Sequence, residues 1–316
     1  MQQNSMVTAL IITRAVHIAA SLLLAGTFTF DLIMLGLTDR SVSNDLNYVE
    51  HRLMHLASWS LIPALLSALF WFWLEVASMS ELSLKNALSA TAWGTVWFET
   101  QFGRVWQLRL GLIATAFVLV LVALAVTQVK ARSALIAVLW LVSIIVLVSL
   151  ALISHAAAAT VGPFGASSDI LHLCAAGLWM GGLVPLTIFL TRVRRSFSLG
   201  QAVVRVVRRF STLSLCCVTV LIVSGISNSW LLVGSIHALF TTPYGGLLLV
   251  KLTLFAILVC FGARNRFLVK AKLPKAAADP DLLAQLRRNV IWEACLGVAV
   301  VVIVGCLGVT PPARHS

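Results

Sequence analysis

Long apolar runs separated by short polar segments extend through the whole chain. A helix needs about 20 apolar residues to cross the hydrocarbon core of a bilayer. Eight runs reach that length, at 9–35, 53–77, 106–128, 134–156, 168–191, 210–234, 246–267 and 288–310. The first is longer than a signal-peptide core and lacks a small-residue cleavage site, so it is expected to be a retained helix. The pattern predicts an all-α, polytopic membrane protein with eight transmembrane helices.

Composition and charge support the same class. Of 316 residues, 60% are hydrophobic and 11% are charged, which is more apolar than a soluble domain requires. The net charge of +12 would suggest a nucleic-acid partner if it were evenly spread. Seventeen Lys and Arg residues instead lie in, or next to, the loops 36–52, 129–133, 192–209 and 268–287. The opposite side has four, which are Lys85, Arg104, Arg109 and Arg314.

This asymmetry follows the positive-inside rule. It predicts that the basic loops are cytoplasmic, where they meet anionic membrane lipid, and that both termini lie outside. The basic charge is then a topological signal, and no nucleic-acid partner is expected.

Two histidine-containing segments resemble each other. "HIAASLLLAG" begins at His17 and "HLCAAGLWMG" begins at His172, an offset of 155 residues. In both segments a glycine follows nine residues after the histidine, at Gly26 and Gly181. His17 and His172 are therefore predicted to occupy equivalent positions in two repeats.

Further matches recur in the same order along the chain. "FGRVWQLR" at 102–109 aligns with "YGGLLLVK" at 244–251. The aligned pairs are Gly103 with Gly245, Arg109 with Lys251, Trp73 with Trp230 and Trp140 with Trp292. We expect two parallel four-helix repeats, because each half crosses the membrane an even number of times. The first half comprises spans one to three within 1–132 and a closing fourth span at 133–158; the second half is 159–316.

Ionisable residues cluster at the outward side of the middle spans. Asp169 and His172 are spaced i, i+3 and share a helical face. His155 closes the fourth run on the same side, and His17 lies deeper in the first run. Neutral imidazoles suit copper, zinc, iron or nickel, and a carboxylate can bind the metal or orient a histidine. The alternative is that these histidines only hydrogen-bond between helices.

Other donors could extend a metal path. Met180 and Cys174 add soft sulfur ligands, which would favour Cu(I), although Cys174 should point to a different face from His172. His51 and His55 are spaced i, i+4 at the inner end of the second run. They could form an exit site or simply contact lipid headgroups. The chain has no phosphate-binding loop, dinucleotide fingerprint or H-E-x-x-H motif, and we do not expect an enzyme.

Three stretches resemble the copper resistance protein D family (CopD/PcoD). They are "ISHAAAA" at 153–159, "SDILHLCAAGLWMGGL" at 168–183 and the segment 209–266. The last contains the T-x-Y-G…K signature ending in N-R, formed by Thr242, Tyr244, Gly245, Lys251, Asn265 and Arg266.

The resemblance implies a bacterial inner-membrane copper protein with periplasmic termini. Such proteins work with a periplasmic copper-binding protein of the CopC type and move copper across the membrane, inward. His155, Asp169 and His172 stand at the family's polar positions, and His17 is the first-half equivalent. The outer loops have no methionine-rich or histidine-rich tract, which favours a small intramembrane copper site over a storage function.

Three functions remain open from the sequence. In the first, a copper permease holds the ion with His155, His172 and His17. In the second, a b-type membrane cytochrome uses His17 and His172 as the axial ligands of a haem, although no deeper second pair is found. The third is a copper sensor or assembly factor without transport.

The topology can be tested with reporters fused after Ser316. We expect alkaline phosphatase to be active there and green fluorescent protein to be dark, because the charge asymmetry places the C-terminus outside. The control is a fusion truncated within the loop 268–287, where the two reporters should behave in the opposite way. A cytoplasmically active reporter after Ser316 would contradict the eight-span topology.

Overall fold

Nearly all of the described residues lie in helices. The computed structural model describes residues 2–35, 43–154, 163–194, 200–273 and 279–315, and this part of the chain contains no strand. Its helices are α1 (Gln2–Met34), α2 (Ser43–Met79), α3 (Ala90–Gly94), α4 (Gln101–Ala125), α5 (Val129–Ala151), α6 (Pro163–Met180), α7 (Leu183–Val193), α8 (Gly200–Val233), α9 (Ile236–Thr241), α10 (Pro243–Ala271) and α11 (Pro280–Leu307).

Eight helical segments of the described chain are long and apolar enough to cross a membrane. This confirms the all-α class and the eight predicted spans. Several helices run past the predicted apolar limits, and α2, for example, already begins at Ser43. Hydropathy marks only the lipid-facing part of a helix, whereas backbone hydrogen bonding continues into the polar ends.

The fifth span is broken, although the sequence predicted one continuous run over 168–191. Helix α6 ends at Met180, and α7 begins at Leu183. The amide of Gly182 closes a tight turn by donating to the carbonyl of Trp179 at 3.1 Å. Pro185 has no N–H to donate to the carbonyl four residues earlier, and its ring crowds that carbonyl. The sequence of two glycines followed by a proline therefore interrupts the helix at membrane depth.

Helices α1 and α6 cross at a contact between glycines. A Cβ atom on Gly26 would overlap the backbone of Gly181, and one on Gly181 would overlap the carbonyl of Leu22. One turn before the break, a Cβ on Gly177 would overlap the side chain of Leu147 in α5. Small residues allow two backbones to approach closely where lipid provides no hydrophobic drive for association.

The helices of the two halves have matching sets of neighbours. The first span, α1, packs on α2 and α5. The fifth span, formed by α6 and α7, packs on the corresponding helices of the second half: α6 packs on α8, and α7 packs on α11. Helix α4 packs on α2 and α5, as α10 packs on α8 and α11. Across the two halves, α1 contacts α11 while α6 contacts α5. This correspondence favours the predicted duplication, with α1 and α6 in contact at the centre.

The bundle has two ends, called the outer face and the inner face after the predicted orientation. The outer face is where α1 begins and α11 ends, and there Arg14 donates to the carbonyl of Gly308. On the opposite inner face, an ion pair of 2.7 Å joins Arg192 of α7 to Asp45 of α2. Polar contacts therefore tie the first half to the second at both faces.

The glycine crossing predicts a sharp difference between two substitutions. Gly26→Ala should lower the free energy of unfolding by about 1–3 kcal/mol, because the new methyl group overlaps the backbone of α6. Gly111→Ala is the matched control, since nothing lies within 4 Å of its added Cβ. It should change stability by less than about 1 kcal/mol. Equilibrium unfolding in detergent, followed by tryptophan fluorescence, measures both; equal stabilities would contradict the close crossing.

Candidate metal centre

His172 faces α8 from the outer part of α6. Its Nδ1 lies 3.0 Å from the hydroxyl of Ser224. That hydroxyl donates its own hydrogen to the carbonyl of Val220 at 2.6 Å, so it accepts from Nδ1. The neutral imidazole therefore carries its hydrogen on Nδ1 and has a lone pair on Nε2, the state that a metal ligand requires.

Two side chains with oxygen donors, Asp169 and Asn228, lie closer to the outer face than His172. Asp169 is half-buried and accepts from Nδ2 of Asn228 in α8 at 3.3 Å. The other amide atom, Asn228 Oδ1, is buried without a hydrogen-bond partner in the described chain. The charge of Lys251 in α10 attracts that of Asp169. With His172, this face offers an imidazole nitrogen, a carboxylate and an amide oxygen, which are ligands for a divalent transition metal.

The equivalent histidine of the first half is enclosed. His17 has no exposed surface, and its Nδ1 lies 3.1 Å from both the Ala64 carbonyl and the Ser67 hydroxyl of α2. Because a carbonyl only accepts, Nδ1 carries the hydrogen here too. Nε2 is buried and has no partner in the described chain. The ring packs against Trp71 and Trp106, with centroids 5.7 and 5.8 Å away.

Both histidines thus bond to a serine on the next spanning helix and have a cation nearby. In the first half the cation is Arg109, which is fully buried in α4. It donates to the hydroxyl and the carbonyl of Ser149 in α5, at 3.0 and 2.7 Å, and lies over the ring of Trp106. Lys251, the cation of the second half, is the residue that the sequence alignment paired with Arg109.

The helices carrying these cations begin with the same cap. The hydroxyl of Thr100 accepts a hydrogen bond from the amide N–H of Gly103 at 2.9 Å. The hydroxyl of Thr242 accepts one from the amide N–H of Gly245 at 3.1 Å. A Cβ on either glycine would overlap the backbone of the preceding short helical turn. The glycines that aligned in sequence therefore serve one structural purpose, which is to let a short outer-face segment pack on the start of a spanning helix.

The two halves differ at the position of Asp169. The offset of 155 places Arg14 there in the first half. Arg14 lies 3.5 Å from Glu75, and the guanidinium groups of Arg14 and Arg109 lie 4.8 and 5.9 Å from the ring of Trp71. The first-half site thus holds two guanidinium groups and one carboxylate, whereas the second-half site balances Asp169 against Lys251. A metal cation is disfavoured beside His17 and tolerated beside His172.

The predicted ligands are placed unequally. His155 lies outside the described residues, so its grouping with the others stays a prediction. Asp169 and His172 share one face of α6, as their spacing predicted. His17 is held against α2 and α4, away from that face. Among the described residues, no three His, Cys, Asp or Glu side chains form a group that could hold a metal ion.

The secondary donors lie further inward. The rings of His51 and His55 are 4.4 Å apart in an edge-to-face arrangement, and both are exposed at the inner end of α2. The methyl end of Met180 lies 3.1 Å from where a Cβ on Gly297 of α11 would be. Their participation in a copper path stays a prediction.

One polar group was missed from the sequence. Glu293 lies in the middle of α11 and accepts from Nδ2 of Asn265 in α10. Asn265 in turn accepts from Nδ2 of Asn289 at 2.8 Å. All three are buried. The available signal was the i, i+4 spacing of Asn289 and Glu293 within an otherwise apolar run.

The fold and the polar face together define a multi-pass membrane protein with a candidate metal site near one end of the bundle. Two family models match the chain: "Copper resistance protein D-like, N-terminal domain" over residues 3–166 and "Copper resistance protein D" over 204–307. The chain belongs to the copper resistance protein D family, which confirms the resemblance found in its motifs.

Three curated proteins illustrate what this chain is similar to. The copper transport protein CutJ of Bacillus subtilis is 30% identical over 209 residues, which are 65% of this chain and 36% of CutJ. The inner membrane protein YebZ of Escherichia coli is 26% identical over 272 residues, covering 82% and 83% of the two chains. Copper resistance protein D of Pseudomonas syringae is 29% identical over 156 residues, covering 48% and 50%. No solved structure matches the chain.

Proposed function

We propose that this protein binds copper at the outer face of the bacterial inner membrane and carries it inward. Support comes from the family and from two relatives, one named a copper transport protein and one an inner membrane protein. Copper is the cargo of this carrier, and no chemical conversion is assigned to it. The protein is therefore a transporter that contributes to copper homeostasis, and not an enzyme.

The observation that carries the proposal is the lone pair on His172 Nε2 beside the carboxylate of Asp169. A cation bound between them offsets the cost of desolvating the carboxylate, and imidazole binds metal in its neutral form. His155, fourteen residues before Asp169 and seventeen before His172, supplies a second imidazole in this proposal. Nitrogen and oxygen donors suit Cu(II) better than Cu(I), which prefers sulfur.

In this proposal His17 supports the fold instead of binding copper. Its imidazole joins α1 to α2 through Ala64 and Ser67, and two guanidinium groups lie in the same cluster. A copper ion would have to reach a side chain with no exposed surface and then sit among positive charges. One of the two equivalent histidines is thus suited to binding and the other to packing.

The proposed direction follows from the two faces of the bundle. If the outer face is periplasmic, as the charge asymmetry predicts, a CopC-type periplasmic protein can deliver copper to the half-buried His172. The basic inner ends of the helices then meet the anionic cytoplasmic leaflet.

A haem held by His17 and His172 is not favoured. A porphyrin at His17 Nε2 would need a large space beside a ring that packs against two tryptophans. The absorption spectrum of the purified protein separates the two functions, because a bis-histidine haem absorbs strongly in the visible region and a copper site of nitrogen and oxygen ligands does not.

Copper binding should depend on the second-half residues in a definite order. We expect the affinity to fall most in His172→Ala, then in His155→Ala, and to fall about 10–100-fold in Asp169→Asn if the carboxylate orients the site. His51→Ala should have little effect. His17→Ala should lower stability while leaving copper affinity near that of the wild type. Competition with a chromophoric chelator, using Cu(II) and Cu(I) separately, measures the affinities.

His237→Ala is the matched control, because His237 is another outer-face histidine and is exposed on α9. Wild-type affinity in both His172→Ala and His155→Ala would show that the polar face of α6 only joins helices. Copper that binds at His172 but never enters proteoliposomes would identify a sensor or an assembly factor.

A further inference from the structure

Glu293 is a carboxylate buried at the middle of a membrane-spanning helix. Its side chain is 3% exposed, halfway along α11. One carboxylate oxygen accepts from Asn265, whose own amide oxygen accepts from Asn289. The amide nitrogen of Asn265 therefore donates and its amide oxygen accepts, which fixes the orientation of the side chain. The network holds one oxygen of Glu293 and leaves the other, Oε2, on the side of Gly262.

In the part of the chain that the structure describes, no ion pair joins a cation to this carboxylate. The ion pairs found among the described residues join other side chains. Two arginines on the same helices as Asn265 and Glu293 are already engaged: Arg266 donates to the Ser211 carbonyl at 2.9 Å, and Arg287 donates to Thr191 at 2.8 Å. An isolated negative charge at this depth is costly, and a proton or an arriving cation removes that cost.

A cavity of about 140 Å³ lies beside Glu293, between α6, α7, α8, α10 and α11. This volume can hold several water molecules. Of the side chains lining it, Glu293 and Arg266 are the two that carry a charge or titrate. Leu215 of α8 lines it and is 48% exposed, so the cavity reaches the surface of the bundle. It extends along α10 toward the inner face as far as Val269.

The cavity also lies on the inward path from the proposed copper site. Trp179 follows His172 by seven residues on α6, which is about 10 Å of helix. A Cβ on Gly262 would lie 3.7 Å from the ring of Trp179 and 3.8 Å from Oε2 of Glu293. Tryptophan ring and carboxylate therefore flank the same glycine, where the outer part of the fifth span meets the cavity.

The equivalent positions of the first half are apolar. The repeat offsets place Leu141 at the position of Glu293 and Ala123 at that of Asn265. Asp169 and Glu293 are thus two carboxylates of the second half that have no carboxylate at the equivalent positions of the first half.

We propose that Glu293 is a proton-exchange site. Glu293 holds a proton while the cavity contains no metal cation. It releases the proton to water in the cavity when a cation arrives from the outer site. The carboxylic acid becomes a carboxylate, one proton enters water, and no electron is transferred. The carboxylate then serves as counter-charge for the cation in a region of low dielectric constant. The identity of the cation rests on the proposed function, whereas the bound proton does not.

Infrared spectroscopy of the purified full-length protein tests the proton without any metal. We expect a carbonyl band of protonated carboxylic acid at neutral pH that loses intensity in Glu293→Gln and keeps it in Glu293→Asp, while any contribution from Asp31 stays the same in all variants. The control is Glu99→Gln, the same change at an exposed position. Thermal unfolding checks that each variant is folded. The same acid band in wild type and in folded Glu293→Gln would overturn the proposal, because Glu293 would then be ionised.

Copper uptake into phosphatidylethanolamine–phosphatidylglycerol vesicles tests the exchange. In wild-type protein inserted with its inner face toward the lumen, an acidic lumen should slow uptake, because the proton competes with the cation. Glu293→Gln should slow uptake about tenfold and remove this pH dependence, while copper affinity at His172 is kept. Wild-type pH dependence in Glu293→Gln would overturn the exchange. If wild-type protein takes up no copper, the proposed transport fails, and the infrared result still decides the proton site.

Discussion

The cost of removing a charge from water governs the position of nearly every ionisable side chain in this bundle. Arg109 is tolerated inside α4 because Ser149 supplies two acceptors and Trp106 an aromatic face. Arg192 is tolerated because Asp45 neutralises it across the two halves. The same constraint makes an unpaired group informative. Both carboxylate oxygens of Asp31, for example, are buried without a hydrogen-bond partner in the described chain. Such a group is neutral, or it is completed by an ion or water.

The predicted duplication would explain why the two halves share a framework and differ at single positions. The caps at Thr100 and Thr242 and the serine-bonded histidines favour a common ancestral unit. What differs is chemistry at single positions. A carboxylate and an amide in the second half, Asp169 and Asn228, correspond to Arg14 and Trp71, which stack as a cation–π pair. The first half therefore has a packing contact where the second half has two oxygen donors.

The sequence predicted the spans well because hydropathy sums over about 20 residues and tolerates local irregularity. The same averaging hid the break at Gly181 and Gly182, whose effect depends on Pro185 and on the close approach of α1. The pairing of Asp169 with His172 followed from helical geometry alone. Their partners did not, because the spans contain many serines and several asparagines, and only the packing of the helices selects Ser224 and Asn228.

Glu293 shows the opposite limit of sequence reasoning. The carboxylate was visible in an apolar run. The sequence did not show whether it lies near the end or near the middle of the helix, because the two positions differ by only a few residues. The length of α11 decided its depth: the helix begins at Pro280, earlier than the predicted apolar run. That extension brings Glu293 to the centre of the helix and level with Asn265, so a residue that would snorkel near an end becomes an enclosed acid.

The interruption of the fifth span has a mechanical consequence. It divides one membrane crossing into two levers joined at Gly181 and Gly182. The outer lever, α6, carries His172, while the inner lever, α7, contributes Leu183 and Leu186 to the wall of the cavity at Glu293. If the protein carries copper as proposed, bending at this joint would change the packing of the two levers separately. Alternating access would then require the bending of one helix, with the other spans acting as its frame.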